Sequence, residues 1–581
     1  MKRRNPTWTG LVLGLALACP AIAAEPLPKN GKGLELVGQV SVGVNMVVLP
    51  DGTWEAYKAV NPGKGFKLTR IRSTDEGRTW SKPETVHDLH GDDWDLPEEP
   101  WTGCVALLDN AGEVHLFFMR LRLEGAARTV AVDRCIDIWH LKSLEKRTKW
   151  SASQRIFKGY TGSIQGALQL RSGRIVFPIG SWVAGREAAP PTGAHFCTTI
   201  YSDDAGKTWK QSPAQLTSPC NANYNGNNYG ACEPVAVERA DGDVWMLMRT
   251  QAGFLYESFS KDGADWSEAK PSRFHSSDSP AALAKLADGR LVVAWNNCEN
   301  PPRVGDQGVY GGRDALHAAI SDDCGKTWRG YRELYLDAKR HDSPPVLGDR
   351  GTAYPCLVAA KNGRVGVISG QGAGRRSLTF MDPRWLLETS RVDDFSQGLE
   401  GWSAFTAFGP VKRYWRDRTL GPRLIDHPDK PGAKVLHLRR ADDKAGDGAV
   451  WNFPVGTVGK LSMRVRLEKD FGGGSIALGD HFFDPTDDTG EEQALFALPI
   501  SAEGKLGDGP KLDSARWYAL GLDWNTTERK CRVHLDGKEV VTLTQGKQTE
   551  AGTCYLRLRS TAKAKDSAGF LVEKVAVRVA E

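Results

Sequence analysis

The sequence lacks the features that mark several broad classes of protein. It has no long hydrophobic run beyond its N-terminus, which excludes a transmembrane helix in the rest of the chain. It has no basic block and no low-complexity tract, and its formal net charge is only +5. Three of those charges fall in the first few residues, so the remainder carries about +2. This charge is too small for a protein that binds nucleic acid through bulk electrostatics.

The composition indicates an ordered protein with more than one domain. The chain has 581 residues, of which 25% are charged and 40% are hydrophobic, and these values are typical of a folded chain. At roughly 150 residues per domain, this length suggests two to four domains, or fewer if they are large all-β units.

The N-terminus has the pattern of a cleaved export signal. Lys2, Arg3 and Arg4 form a positive region, residues 11–18 are apolar, and Ala21 and Ala23 supply small residues for cleavage. We therefore predict a signal peptide over residues 1–24 and a secreted or periplasmic mature protein. Ten cysteines remain after cleavage, and they form disulfides or stay as buried free thiols. The pairs nearest in sequence are Cys220 with Cys232 and Cys531 with Cys554.

A hairpin signal recurs six times between residues 35 and 388. Each copy is a tight turn ending in glycine, flanked by apolar or β-branched residues, and the copies are roughly 60 residues apart. The turns are Asp51-Gly52, Ala111-Gly112, Ser172-Gly173, Asp241-Gly242, Asp288-Gly289 and Asn362-Gly363. Repeats of this length with several strands each predict a six-bladed β-propeller.

A second motif follows the hairpins in the same phase. It has the form Ser-x-Asp-x-Gly-x-Thr-Trp, in which Ser and Asp bind their own turn and Trp packs between blades. The copies are residues 73–80, 202–209 and 321–328, with a shortened copy at 260–266 and a decayed one at 143–150. These motifs resemble the Asp boxes of the sialidase superfamily, whose fold is a six-bladed propeller. In that family the boxes lie on the outside of the propeller and do no chemistry.

Four polar residues occupy equivalent places relative to the turns. Glu233 and Tyr354 each lie eight residues before a turn, Arg249 lies beyond the turn that follows Glu233, and Arg313 precedes the box at 321. This set resembles the sialidase active site. The resemblance implies that Tyr354 is the nucleophile, Glu233 is its base, and Arg249 and Arg313 bind a substrate carboxylate. A tyrosine suits this task, because a carboxylate on the anomeric carbon would repel an acidic nucleophile.

The sequence departs from the family pattern in two places. No arginine occurs in residues 42–46, where the family places its first arginine, and no Asp occurs between residues 53 and 73, where it places its acid. Residues that could replace the cation are Lys58, Arg120 and Arg122. Residues that could replace the acid are Asp92, Asp93, Asp95, Glu98 and Glu99.

Other polar residues near the turns are further candidates for the pocket. They are Ser279-Pro280, Asn296-Asn297, His317 and His341. No cysteine or histidine spacing indicates a metal site, and no cofactor is expected.

The last part of the chain, residues 392–581, predicts a second all-β unit. Alternating runs such as residues 460–467 and 517–524, together with the Asp536-Gly537 turn, are typical of a β-sandwich. The stretch from Trp517 to Gly537 resembles concanavalin- or laminin-G-like jelly rolls, which bind glycans or pack against a catalytic domain.

Three functions remain open at this point. The first is a secreted exo-glycosidase of the sialidase type that removes sialic acid or a similar acidic sugar from a glycan. The second is a propeller enzyme, hydrolase or lyase, acting on another acidic polysaccharide, and a lyase would use Tyr354, His317 and Arg313. The third is a glycan-binding protein without catalysis. The oligomeric state is not predicted.

Overall fold

The computed structural model describes most of the chain after its N-terminus. The described residues are 33–40, 42–60, 67–88, 104–123, 134–159, 161–181, 195–219, 230–298, 312–334, 352–360, 362–370, 376–407, 416–417, 421–441, 443, 446–487 and 489–580. The export signal predicted over residues 1–24 lies outside them. Among the described residues, no helix has the length and hydropathy that crossing a bilayer requires.

The first part of the described chain forms six separate antiparallel sheets. The chain begins with β1 (Leu34–Gln39), and the first sheet then contains β2 (Met46–Val48), β3 (Trp54–Val60), β4 (Lys67–Ser73) and β5 (Glu84–Asp88). The second sheet contains β6 (Cys104–Leu108), β7 (Val114–Leu123), β8 (Arg134–Leu144), β9 (Lys149–Trp150) and β10 (Gln154–Phe157), and the third contains β11 (Leu168–Gln169), β12 (Ile175–Ser181), β13 (Phe196–Ser202) and β14 (Lys210–Gln211). The fourth contains β15 (Ala231–Glu238), β16 (Val244–Thr250), β17 (Phe254–Ser260) and β18 (Lys270–His275), the fifth contains β19 (Ala282–Lys285), β20 (Leu291–Trp295), β21 (His317–Ser321) and β22 (Arg329–Glu333), and the sixth contains β23 (Cys356–Ala359), β24 (Val365–Ser369) and β25 (Ser377–Met381). Strand β1 pairs with β25 and so completes the sixth sheet from the other end of this part of the chain.

The six glycine turns lie between the first and second strands of their sheets. In the fourth sheet, for example, Gly242 has a φ of 95° and joins β15 to β16. All six glycines adopt positive φ, a conformation that side-chain-bearing residues rarely take.

The Asp boxes lie between the third and fourth strands and bind their own backbone. In the box at 202–209, the Ser202 hydroxyl accepts a hydrogen bond from the Gly206 amide (2.8 Å), and Asp204 accepts one from the Thr208 amide (2.8 Å). The Trp209 ring packs edge-on against Phe117 of the preceding sheet. The box therefore closes a turn and places an aromatic ring between two sheets.

Neighbouring sheets share buried hydrophobic clusters all along the chain. Each sheet packs against the next, and the sixth packs against the first through residues that include Phe380 and Trp54. This packing order is the one that a six-bladed propeller requires, whereas the closed ring itself stays a prediction. The all-β class is confirmed for the described residues, in which helix is limited to a short 3-10 turn (Pro383–Leu387) and α1 (Gly490–Gln493).

The last part of the chain forms two further antiparallel sheets. The strands of the eight-stranded sheet are β26 (Ser390–Asp393), β29 (Arg423–Asp426), β30 (Lys434–Arg440), β32 (Val458–Leu467), β35 (Trp517–Asn525), β36 (Lys530–Leu535), β37 (Lys538–Thr544) and β39 (Asp566–Val579). Those of the six-stranded sheet are β27 (Trp402–Ala407), β28 (Arg416–Asp417), β31 (Gly448–Gly456), β33 (Gly474–Gly479), β34 (Phe496–Ile500) and β38 (Thr553–Ser560). One hydrophobic core contains residues from both sheets. We call residues 390–580 the C-terminal unit, and its concanavalin- or laminin-G-like character stays a prediction.

The C-terminal unit packs directly on the fifth sheet. Asn452 of β31 accepts a hydrogen bond from the Glu333 amide (2.9 Å) and donates one to the Tyr331 carbonyl (2.9 Å). A single buried cluster contains Trp295 from the fifth sheet and Phe482 from the C-terminal unit. The two parts therefore share a continuous buried contact.

Neither of the two cysteine pairs nearest in sequence forms a disulfide, and the alternative of buried free thiols holds for three of these four residues. Cys232, Cys531 and Cys554 are free thiols, each fully buried. Cys531 and Cys554 lie on strands of different sheets and belong to different hydrophobic clusters, so closeness in sequence does not bring them together. Cys220 lies outside the described residues, and Cys324 is disulfide-bonded.

Candidate functional site

Glu233, the third residue of β15, and Tyr354, two residues before β23, share the same unusual backbone conformation. Their φ angles are 47° and 52°, in the left-handed region that costs a residue with a side chain about 1–3 kcal/mol. Each precedes a proline, and the register of β15 and β16 shifts between Cys232 and Val235, around Glu233. Strained backbone of this kind is concentrated at functional sites in proteins.

The two side chains meet in a hydrogen-bonded cluster with Arg249. The Tyr354 hydroxyl donates to Glu233 Oε1 at 2.9 Å, and Arg249 Nη1 donates to Glu233 Oε2 at 2.7 Å. The same Nη1 lies 3.1 Å from the Tyr354 oxygen. A hydroxyl nucleophile candidate, a carboxylate base candidate and a cation therefore share one hydrogen-bonded group.

Arg313 and Asp278 complete the cluster from the fifth sheet. The Arg313 guanidinium carbon lies 5.2 Å from the centre of the Tyr354 ring, and its Nη2 donates to the Asp278 carbonyl at 2.9 Å. Asp278 also accepts from Arg249 Nε at 2.6 Å. The structure thus brings together all four residues singled out in the sequence. Asp278 escaped the sequence analysis, although it directly precedes the candidate pair Ser279-Pro280.

The environment keeps Tyr354 protonated near neutral pH. Burial raises the pKa of its hydroxyl above the usual value, and the Glu233 charge and hydrogen bond raise it further. The charges of Arg249 and Arg313 act in the opposite direction, but they do not outweigh the burial. A nucleophilic role for Tyr354 therefore requires a base, and Glu233 is the acceptor of its proton in this geometry.

Asn296 links the chain segments that carry the cluster residues and is not itself a member of the cluster. It is fully buried, accepts from the Ser279 hydroxyl (2.7 Å), and donates to the carbonyls of Ala315 (2.8 Å) and Thr352 (3.2 Å). Those three partners are close in sequence to Asp278, Arg313 and Tyr354. The Thr352 hydroxyl adds a bond to the Arg313 carbonyl at 2.6 Å.

Asn297 and His317, two further candidates from the sequence, lie in the contact with the C-terminal unit. The side-chain amide of Asn297 donates to the Asp480 carbonyl at 2.9 Å. His317 is fully buried. Its Nε2 lies 2.6 Å from the Tyr555 hydroxyl, and its Nδ1 accepts from the backbone amide of Asn297. The His317 imidazole therefore lies inside the contact between the two parts, and its use as a lyase base stays a prediction.

The candidates for the missing cation are not brought to the cluster by any described contact. Lys58 is exposed, and the buried Arg120 guanidinium stacks over Trp139 at 5.0 Å. Nothing is described of the Arg122 side chain. Three groups of candidates lie outside the described residues: His341, the acids at 92, 93 and 95, and those at 98 and 99.

Arg376, which the sequence analysis did not single out, reaches the stretch where the cation is missing. Its Nη2 donates to the Val44 carbonyl at 3.3 Å, and its Nη1 donates to the Gly370 carbonyl at 3.2 Å. The Gly370 amide in turn binds the Ala353 carbonyl, next to Tyr354. Arg376 lies far along the chain from residues 42–46, so no sequence motif could have indicated this contact.

Comparison with known proteins gives one domain match. Residues 89–367, just under half of the chain, match the family described as a BNR repeat-like domain. This range contains the last three of the four clearer Asp boxes and all four residues singled out in the sequence. No curated protein matches the chain.

Solved sialidases resemble this chain distantly. Trypanosoma rangeli sialidase in complex with sialic acid is 14% identical, with 92% of this chain and 91% of that chain covered and a TM-score of 0.38. The Hadza microbial sialidase Hz136 is 19% identical over 58% of this chain and 64% of that chain, with a TM-score of 0.41. The NanB sialidase from Streptococcus pneumoniae is 14% identical over 60% and 70%, with a TM-score of 0.40. At these values, the likeness establishes neither the fold nor the activity of this chain.

Proposed function

We propose that this chain is an exo-glycosidase of the sialidase type, which hydrolyses the glycosidic bond of a terminal acidic sugar. The observation that carries the proposal is the hydrogen bond from Tyr354 to Glu233 within a cluster that also holds Arg249 and Arg313. A six-bladed propeller would place these residues in its central mouth, where a terminal sugar can enter.

The proposed reaction has two steps. In the first, the Tyr354 oxygen attacks the anomeric carbon as its proton passes to Glu233, and the bond to the leaving oxygen breaks. In the second, water attacks the same carbon and gives a proton to the conjugate base of the general acid, the tyrosyl bond breaks, and Glu233 returns its proton to Tyr354. The departing oxygen takes its proton from a general acid, for which the candidates remain Asp92, Asp93, Asp95, Glu98 and Glu99.

The substrate that we propose bears a carboxylate on or next to its reacting carbon, with sialic acid as the first example. Arg249 is held by Glu233 and Asp278, so we assign it to orienting the base and stabilising the tyrosyl oxygen as well as to the carboxylate. Arg313 and Arg376 are the further cations proposed for the carboxylate. Arginine suits this task because its planar fork matches a carboxylate in two parallel bonds.

Hydrolysis of a fluorogenic aryl sialoside tests the proposal. We expect turnover by the wild type and at least a hundredfold loss of kcat in Glu233→Gln and in Tyr354→Phe, because each removes a member of the nucleophile pair. The matched control is Glu238→Gln, the same change on the same strand at a carboxylate that pairs with Arg171 instead. We expect this control to retain wild-type turnover.

Other outcomes identify the alternatives. If the wild type cleaves aryl uronides but not the sialoside, with the same loss in both variants, the site acts on another sugar acid. If no acidic glycoside is cleaved although glycans still bind, the chain is a binding protein and the hydrolase proposal fails.

We also propose that the protein is exported, on the basis of the charged and apolar residues at its N-terminus. Sequencing the N-terminus of the mature protein tests this. Cleavage after Ala23 or Ala24 would support export, whereas an intact N-terminus on protein retained inside the cell would contradict it.

A further inference from the structure

Three potential metal ligands meet where the C-terminal unit contacts the fourth sheet. His275 is the last residue of β18, whereas Asp480 and His481 directly follow β33. Their ligand atoms all lie within 4.8 Å of one another. His275 Nε2 is 3.3 Å from Asp480 Oδ2, His481 Nδ1 is 2.6 Å from Asp480 Oδ1, and the two imidazole rings stack with centres 4.6 Å apart.

We propose that His275, Asp480 and His481 bind a divalent transition-metal ion, for which Zn²⁺ is the representative. Two imidazoles and one carboxylate form a borderline donor set that suits zinc better than the harder magnesium or calcium ions. Ligand atoms around a tetrahedral zinc lie about 3.4 Å apart, which is close to the observed spacing. Because the two imidazoles are stacked, they must turn for both nitrogen lone pairs to face one ion. The remaining coordination position is filled by water.

Neighbouring residues hold the three side chains in place, as outer contacts usually do around a metal site. The His275 imidazole also packs against the Phe254 ring, with ring centres 4.2 Å apart. The Asp480 carbonyl accepts from Asn297 Nδ2 (2.9 Å) and Cys554 Sγ (3.1 Å), which anchors its backbone. Asp480 Oδ2 is buried and faces His275 Nε2, so the carboxylate lies between the two imidazoles.

The site has a route by which an ion can enter. His275 and His481 are each partly exposed, and His481 also lines a small cleft together with Phe483 and Tyr555. Because the ligands come from both parts of the protein, a bound ion would join the C-terminal unit to the fourth sheet. Sequence analysis could not indicate the site, because His275 is far in sequence from the other two ligands.

Calorimetric titration with Zn²⁺ alone tests the proposal. The sample is the full mature chain without a polyhistidine tag, stripped with a chelator and dialysed. We expect one zinc per chain, and binding at least tenfold weaker in both His275→Gln and His481→Gln. The matched control is His534→Gln, another histidine of the C-terminal unit near an aspartate, and it should bind as the wild type does.

Two further measurements keep the test decisive. Zinc should raise the melting temperature of the wild type and of His534→Gln but not that of the two ligand variants. If those variants fail to fold, anomalous diffraction from wild-type crystals soaked in zinc should give a peak between the three side chains. Absence of stoichiometric zinc in the wild type, a peak elsewhere, or unchanged affinity in folded ligand variants would overturn the proposal. The cluster would then be an ion-paired contact between the two parts.

Discussion

At the scale of single residues, the cluster depends on one buried side chain, Asn296, which hydrogen-bonds to residues next to the cluster members in sequence. Asn296 satisfies the Ser279 hydroxyl and the carbonyls of Ala315 and Thr352. These contacts link the segments that carry Asp278, Arg313 and Tyr354. Asn296 is therefore a positioning residue.

We predict that Asn296→Ala lowers both stability and activity. Three buried polar groups lose their partner, at a cost of about 3 kcal/mol in the free energy of unfolding. Turnover of whichever acidic glycoside the wild type cleaves should fall at least tenfold, with the fall in kcat rather than in KM. Denaturant unfolding and steady-state kinetics measure these effects.

The control for this prediction is Asn362→Ala. Asn362 lies in an exposed turn and bonds to Glu76 and to the Arg364 amide. Its loss should cost less than about 1 kcal/mol and leave kcat unchanged. Equal effects of the two substitutions would contradict the positioning role.

The individual site residues illustrate what the sequence could and could not indicate. Glu233 and Tyr354 could be recognised in the sequence because each lies eight residues before a glycine turn, and turns of this type repeat the same local geometry. Asp278 and Arg376 could not be recognised in the sequence, because their roles arise from contacts between different sheets. His317 shows the same limit, since its partner Tyr555 belongs to the C-terminal unit.

At the scale of elements, the Asp box behaves as a self-contained turn. In the box at 202–209 the Asp204 carboxylate accepts from both the hydroxyl and the amide of Thr208. These bonds lower the pKa of Asp204 to about 2, first through the hydroxyl and then through the amide. Such short-range bonding explains why the boxes could be located from the sequence alone.

The lowered pKa predicts a defined pH dependence. Because the folded-state pKa lies below the unfolded value, the stabilisation by Asp204 is complete above the ordinary aspartate range. It is lost as the pH falls from about 4 towards 2. We expect Asp204→Asn to melt about 2 °C lower than the wild type at pH 6 and to lose less stability over that acid range.

Melting curves from pH 6 to pH 2 measure this difference. The control is Asp265→Asn, in the shortened box, where the carboxylate makes no hydrogen bond to a described residue. It should follow the wild-type curve. A constant difference between Asp204→Asn and the wild type at every pH would contradict the explanation.

At the scale of the whole molecule, the two parts of the chain are joined by a buried contact that is both apolar and polar. One hydrophobic cluster spans the fourth and fifth sheets and the C-terminal unit. Within the contact, Asn452 bonds to the Glu333 amide and to the carbonyls of Tyr331 and Cys554. A contact of this kind couples the unfolding of the parts that it joins.

We predict that the wild type unfolds in a single calorimetric transition and that Asn452→Ala separates it into two. The substitution removes two bonds across the contact, those to the Glu333 amide and the Tyr331 carbonyl, and one bond inside the unit, to the Cys554 carbonyl. The control Asn525→Ala removes a turn residue of the same unit that bonds only to nearby amides, and it should keep one transition. Two transitions in the wild type would contradict tight coupling.

The contact between the two parts was beyond the reach of the sequence analysis. Each unit was recognisable by its own alternation and turns, which are local features. The contact uses side chains that follow no repeat, such as Asn297 after β20 and Asn452 within β31. The failed cysteine pairings have the same cause, because proximity along the chain did not reflect the sheets to which the residues belong.

The most direct test of the proposed chemistry is to detect the glycosyl group on Tyr354. The wild type would be incubated with 2,3-difluorosialic acid, quenched with acid, digested, and analysed by mass spectrometry. We predict that one fluorosialyl group is attached to the peptide containing Tyr354, and that the adduct is absent from Tyr354→Phe and strongly reduced in Glu233→Gln. A wild type that turns over the aryl sialoside but carries the group on another residue would contradict the assignment of Tyr354 as nucleophile.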